Sequence, residues 1–149
     1  MNWNNPPKNV HNKLGFVYEI TNKVSGRKYI GQKRMWFEKR LPKTKTRKTR
    51  RKVYYESDWK TYTGSSEELN KDIEKLGIEN FSFVILKYCY SKFQLHYYEL
   101  EEQVNRQVML SDKYYNGIIR CRISKPKYKP KTFKMEKFLG NNYIKTYKK

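Results

Sequence analysis

Gly15–Gly31 reads G-F-V-Y-E-I-T-N-K-V-S-G-R-K-Y-I-G, two short apolar runs joined by a polar turn. The first run, Gly15 to Ile20, alternates apolar and polar towards its end, and Lys28-Tyr29-Ile30-Gly31 is its partner. Asn22, Lys23, Ser25 and Gly26 supply turn chemistry between them, so the pair predicts an antiparallel hairpin. Tyr18 and Tyr29, eleven residues apart, fall on neighbouring strands. Two readings stand side by side. The phenols point into one shared pocket, or both rings pack on the sheet as strand aromatics usually do.

The rest of the chain sets the bounds. At 149 residues it is long enough for one domain with a modest core. Lys and Arg total 34 against 14 Asp and Glu, a net charge of +20 that points to a polyanionic partner, nucleic acid before membrane. No run is apolar enough to span a bilayer, and M-N-W-N-N-P-P-K lacks the apolar run of an export signal, so a cytoplasmic location is expected. Cys89 and Cys121 have no metal-like spacing and are read as reduced thiols.

Residues 1–13 read as a polar, loosely held arm that Trp3 can pin to the body. Beyond the hairpin, nine of the fourteen residues from Lys39 to Lys52 are Lys or Arg and none is acidic, which a compact core cannot absorb. This is read as the centre of a basic insertion over 33–64. Lys43, Lys45, Arg47, Lys48, Arg50, Arg51 and Lys52 are its phosphate-binding candidates, against the alternative of a merely solvated charge run. In Asp58-Trp59-Lys60-Thr61-Tyr62-Thr63-Gly64-Ser65-Ser66, Trp59, Lys60 and Tyr62 suit contacts with backbone or unstacked bases, although Trp59 serves equally well as a staple to the core. Ser65-Ser66-Glu67-Glu68 reads as a capping box, with Leu69, Ile73 and Leu76 on one helical face and Gly77 ending the helix. The helix start, with Ser65 and Ser66, is suited to receive a phosphate.

Asn80 to Tyr90 is the best strand and is expected at the centre of the sheet. A second helix capped near Ser91 is expected to run to about Leu110, with Phe93, Tyr97, Leu100, Val104 and Val108 as its core stripe and Glu101 at the stripe's edge. His96 is placed on the polar side. Tyr114 to Gly117 reads as a turn. The tail, 123–149, is basic again, with Phe138-Leu139 and Tyr143-Ile144 as the pairs able to dock it.

F-V-Y at Phe16–Tyr18 and Y-I-G at Tyr29–Gly31 resemble the paired motif of the GIY-YIG nucleases. Glu101 and Asn116, fifteen residues apart, resemble that family's metal-holding glutamate and the asparagine that follows it. D-W-K-T-Y-T-G-S-S resembles a block of phage Seg-type homing endonucleases, which carry an insertion after the second motif. The resemblance covers Gly15 to Asn116. It implies an α+β fold, a small and mainly antiparallel three-stranded sheet flanked by helices, over 14–122. It implies a catalytic set of Tyr18, Tyr29, Glu101 and Asn116 plus one cation. Arg40, eleven residues past Tyr29, is the first choice for that cation, with Arg34 and Lys33 as competitors. It implies one Mg²⁺ or Mn²⁺ on Glu101, double-stranded DNA as partner, no membrane, and action as a monomer or a homodimer.

Such residue types suit phosphodiester hydrolysis, which needs an oriented water, a stabilised charged transition state and a neutralised leaving alkoxide. A phenol with an ordinary pKa near 10 is a poor base unless a cation lowers it. The competing reading is a basic module that keeps the fold and binds nucleic acid without cutting it.

Overall fold

In the computed structural model, residues 1–127 and the backbone of residues 143–144 are described. β1 (Gly15–Asn22) and β2 (Lys28–Arg34) form the expected hairpin, with Tyr18 opposite Gly31 and Ile20 opposite Tyr29. Asn22 sets the turn: its side-chain oxygen accepts from the amides of Val24 and Ser25, and Gly26 takes the positive φ of 76° that returns the chain to β2. β3 (Trp36–Arg40) and β4 (Lys52–Glu56) follow, then α1 (Glu67–Leu76), β5 (Phe81–Cys89), α2 (Lys92–Asn105) and the two-residue β6 (Tyr143–Ile144).

Two small sheets result. The first is antiparallel in the order β2-β1-β5. The central strand is therefore β1. β5 lies at an edge, and the expectation that it is central is corrected. Its run of apolar residues reflects cover on both faces, and its free edge is dressed by the N-terminal segment. Asn4 donates its amide to the Phe83 carbonyl, and the Asn5 side chain pairs with both backbone groups of Ile85, at 2.8 and 2.9 Å. The second sheet pairs β3 with β4 antiparallel, and β6 runs parallel to β4.

Alternation along β1 feeds two cores. Phe16, Tyr18 and Ile20 pack with Trp3, Met35, Trp36, Trp59, Leu69 and Phe83. Val17 faces the other way, with Ile30, Cys89, Leu95 and Val108 beneath α2. The N-terminal arm is thus part of the body. Trp3 is 4% exposed, its ring meets Phe16, Tyr18 and Phe83 edge-on, and its indole N–H donates to the Trp59 carbonyl.

Several local expectations are revised. The basic stretch is not loop throughout, because its two ends pair as the β3–β4 hairpin and residues 41–51 join them. The cap of α1 is Ser66, which accepts from Leu69 N; Glu68 then lies in the first turn, where its carboxylate pairs with Arg27 instead of closing a capping box. α2 ends at Asn105, followed by a short 3₁₀ turn at Val108–Leu110. Its buried positions are Leu95 and Gln103, whereas Tyr97 and Val104 are exposed, so the helix is turned away from the expected stripe. Residues 113–116 run along the edge of β2, with Lys28 and Tyr114 bridged, and do not form a turn. Phe138-Leu139 and most of the expected 123–149 tail lie outside the described residues. Among the described residues no helix is long and apolar enough to cross a membrane, and Cys89 and Cys121 are both free thiols.

Candidate active site

The site is built on β2, an outer strand of the sheet whose edge is covered by residues 113–116. Alternation puts Tyr29, Gly31 and Lys33 on one face of β2 and Ile30 and Gln32 on the other. Tyr18, opposite Gly31 on β1, extends its phenol across the strand through the space the glycine leaves. A Cβ at Gly31 would lie 2.5 Å from the Tyr18 hydroxyl and 2.9 Å from the Tyr29 ring. Gly31 has no positive φ. It is a glycine for room, not for backbone freedom.

Tyr18 and Tyr29 are 6.1 Å apart between ring centroids, and Tyr62 adds a third ring 6.3 Å from Tyr18 and perpendicular to it. Tyr62 arrives on the segment between β4 and α1. The same segment gives Ser65, whose hydroxyl is 2.9 Å from the Tyr29 hydroxyl, and Gly64, which packs against the Tyr29 ring. Lys33 Nζ stands 3.7 Å over the Tyr62 ring and 2.5 Å from the exposed carboxylate of Asp58.

The carboxylate of the site is Glu99. It accepts a hydrogen bond from Gln32 Nε2 at 2.7 Å and a longer one from Gln103 Nε2 at 3.4 Å. Burial raises its pKa to about 7, with the Gln32 hydrogen bonds opposing the rise. All three phenols feel its charge. Tyr18 is pushed well above the usual 10.0, first by burial and then by Tyr29, Tyr62 and Glu99. Tyr29 is raised by burial and by Glu99, against the Ser65 hydrogen bond, and Tyr62 is raised by burial and Tyr29. At neutral pH the three hydroxyls are therefore proton-bearing donors.

Of the residues expected here, Tyr18, Tyr29 and Lys33 are brought together, with Tyr62 and Ser65 beside them. Glu101 is not. It is exposed, two residues beyond Glu99 and so about 200° further round the helix. Arg40 is not, because the chain after the second motif is strand β3 and Arg40 ends it, exposed and pointing to Glu38 at 3.4 Å. Arg34 lies on the opposite face of β2, its guanidinium 4.9 Å from the Phe37 ring and its pKa lowered by burial.

Asn116 acts on the backbone: Oδ1 accepts from the Ile30 amide at 3.0 Å and Nδ2 donates to the Ile30 carbonyl at 2.7 Å, so it clamps the second motif in place. Trp59 is 1% exposed, its indole N–H held by Glu56, and offers no face to a nucleic acid; the staple reading is the one observed. Ser66 has its hydroxyl engaged as helix cap. Lys60 pairs with Glu56 and Lys52 with Glu38. Lys43, Lys45, Lys48 and Arg50 are exposed on the β3–β4 loop. Arg47 and Arg51 are half-buried there, Arg47 holding the Pro42 and Thr49 carbonyls.

The chain therefore presents one shielded carboxylate, three phenols and one cation around an edge strand. Among the described residues no three His, Cys, Asp or Glu side chains group as a cation cage. A single carboxylate suits Mg²⁺, which keeps most of its own water shell. Sequence reasoning missed Glu99, Gln32 and Gln103. The available signal was the shared face of Leu95, Glu99 and Gln103 at four-residue spacing, overridden by the fifteen-residue interval from Glu101 to Asn116.

A three-stranded antiparallel sheet flanked by two helices, with paired motif tyrosines meeting over the glycine of its edge strand, defines a GIY-YIG nuclease domain. The family described as "Putative endonuclease segE, GIY-YIG domain" matches residues 3–119, and the chain belongs to it. The "Putative endonuclease segE" of Enterobacteria phage T4 is 31% identical over 102 residues, which cover 68% of this chain and 39% of that protein. The chain thus spans well under two thirds of that relative's length. No solved structure matches it.

Proposed function

We propose that the protein is a DNA endonuclease that hydrolyses phosphodiester bonds with one divalent cation, Mg²⁺ or Mn²⁺, held at Glu99, and that it is of phage or mobile-element origin, acting on double-stranded DNA in the cytoplasm of the host cell. The observation that carries this reading is a lone, partly buried carboxylate within electrostatic reach of three clustered phenols, with Lys33 at the same edge. A partly buried carboxylate beside clustered phenols and a cation is the kind of group that marks a functional site.

The residues divide the work as follows. The bound ion supplies charge neutralisation at the scissile phosphate and an acidified water. Tyr29 donates the hydrogen bond that orients the phosphate and the attacking water, Ser65 holds its hydroxyl in line, and the buried Tyr18 ring supports it across Gly31. Lys33 binds the nonbridging oxygens. Asp58, 69% exposed, keeps the lysine in place until a phosphate displaces it. Asn116 and Gln103 hold the Ile30 backbone, and with it Tyr29 and Gly31. The β3–β4 loop and its flanks add phosphate contacts outside the site.

The test is supercoiled plasmid with Mg²⁺ or with EDTA, comparing wild type, Glu99→Gln and Glu101→Gln. Nicked or linear product is expected from wild type and Glu101→Gln only with the metal, and Glu99→Gln should fall by about 100-fold or more. Cutting by Glu99→Gln at the wild-type rate would remove Glu99 from the role. A plasmid shifted but uncut by the wild type under several divalent ions would favour a binding module on the same fold.

A further inference from the structure

Glu99 also lines a cleft of about 150 Å³. One wall is α2, through His96, Glu99 and Gln103; the other is the segment that continues past Asn116, through Arg120 and Arg122. The two walls differ in state. On α2, Glu99 is hydrogen-bonded to Gln32 and Gln103, and His96 Nδ1 is 2.9 Å from Gln32 Nε2. Arg120 and Arg122 are exposed and have no ion pair or hydrogen bond among the described residues. The cleft thus joins one carboxylate on α2 to two arginines on the facing segment.

Resting on the nuclease reading, we propose that Arg120 and Arg122 form a backbone-phosphate subsite that holds the nucleic-acid strand beside Glu99. An arginine fork matches the nonbridging oxygens of a phosphate two at a time. Placement after Asn116 ties the subsite to the clamp on the second motif, so the strand is registered against the same backbone that carries Tyr29 and Gly31.

The experiment compares wild type, Arg120→Ala/Arg122→Ala, Arg120→Lys/Arg122→Lys and a control, Lys71→Ala/Lys75→Ala, which removes equal charge from the exposed side of α1. Binding of a short duplex is measured in EDTA across a salt series, and plasmid cleavage in Mg²⁺. The alanine pair is expected to lower the slope of log K against log salt by about 2 and the cleavage rate by more than about tenfold. The control should do neither, and the lysine pair should recover binding but not cleavage. An alanine pair indistinguishable from wild type, or equal losses in the control, would overturn the subsite. Full recovery of cleavage by lysine would overturn the fork geometry. Wild type that binds but never cuts would instead sink the nuclease reading, while the EDTA binding series still decides the subsite. The substituted positions are all exposed, and thermal unfolding verifies that each variant is folded.

Discussion

Gly31 is the residue on which the site turns, because the Tyr18 phenol occupies the volume a side chain would fill. Gly31→Ala places a carbon 2.5 Å from that hydroxyl, and one ring must move. A stability loss of about 1–3 kcal/mol in urea unfolding is expected, together with loss of cleavage, because the Tyr29 ring packed on the same glycine shifts with it. Glu99 gives a second expectation at this scale. Its carboxyl has a pKa of about 7 in the folded chain against a usual 4.5. Between those values the folded protein keeps a proton that the unfolded chain has released. Stability from this group therefore falls as pH rises from about 4.5 to about 7 and is level above that. Glu99→Gln lacks the penalty. Its stability relative to wild type should grow through that window by about 3 kcal/mol, read from chemical unfolding at stepped pH without divalent metal. A constant difference would mean that the carboxyl titrates normally.

At the scale of elements, the edge of β2 is held by side chains doing the work of a missing strand. Asn116 satisfies both backbone groups of Ile30, and Gln103 adds a donor to the same carbonyl. Asn116→Ala leaves those groups without their partner. Faster hydrogen exchange at the Ile30 amide and a loss of about 1–3 kcal/mol are expected, with a drop in cleavage larger than the drop in DNA affinity. Exchange at Ile30 as slow as in wild type would count against the clamp. The same edge explains what was legible in the sequence. The hairpin, its turn at Asn22–Gly26 and helix α1 follow local rules, and each appears where its residues put it. α2 did not, because Glu99 and Gln103 face inward to serve β2. A helix with polar residues on its buried face and Tyr97 and Val104 outside inverts the apolar stripe by which its orientation is read. Arg40 failed for a similar reason: only pairing with Lys52–Glu56 makes Trp36–Arg40 a strand, and that partner is distant in sequence.

For the molecule as a whole, charge and core are segregated. The buried residues are apolar with few exceptions, and the loop at residues 41–51 carries six Lys or Arg outside both cores. Replacing residues 42–50 by a two-residue Asn-Gly turn should leave the thermal midpoint nearly unchanged, since the β3–β4 register is kept. DNA affinity at moderate salt should fall, and the salt slope should shrink by several units, about 0.9 for each phosphate no longer neutralised. Equal affinity with and without the loop would leave the charge to some other purpose.

The clamp at Asn116 also bears on how the protein is made. Translation releases the two motif tyrosines early, then the basic loop, then Tyr62 and Ser65, and only much later Glu99 and the asparagine that fixes β2. On the proposed reading, a chain still on the ribosome already has what it needs to cling to nucleic acid and lacks what it needs to cut.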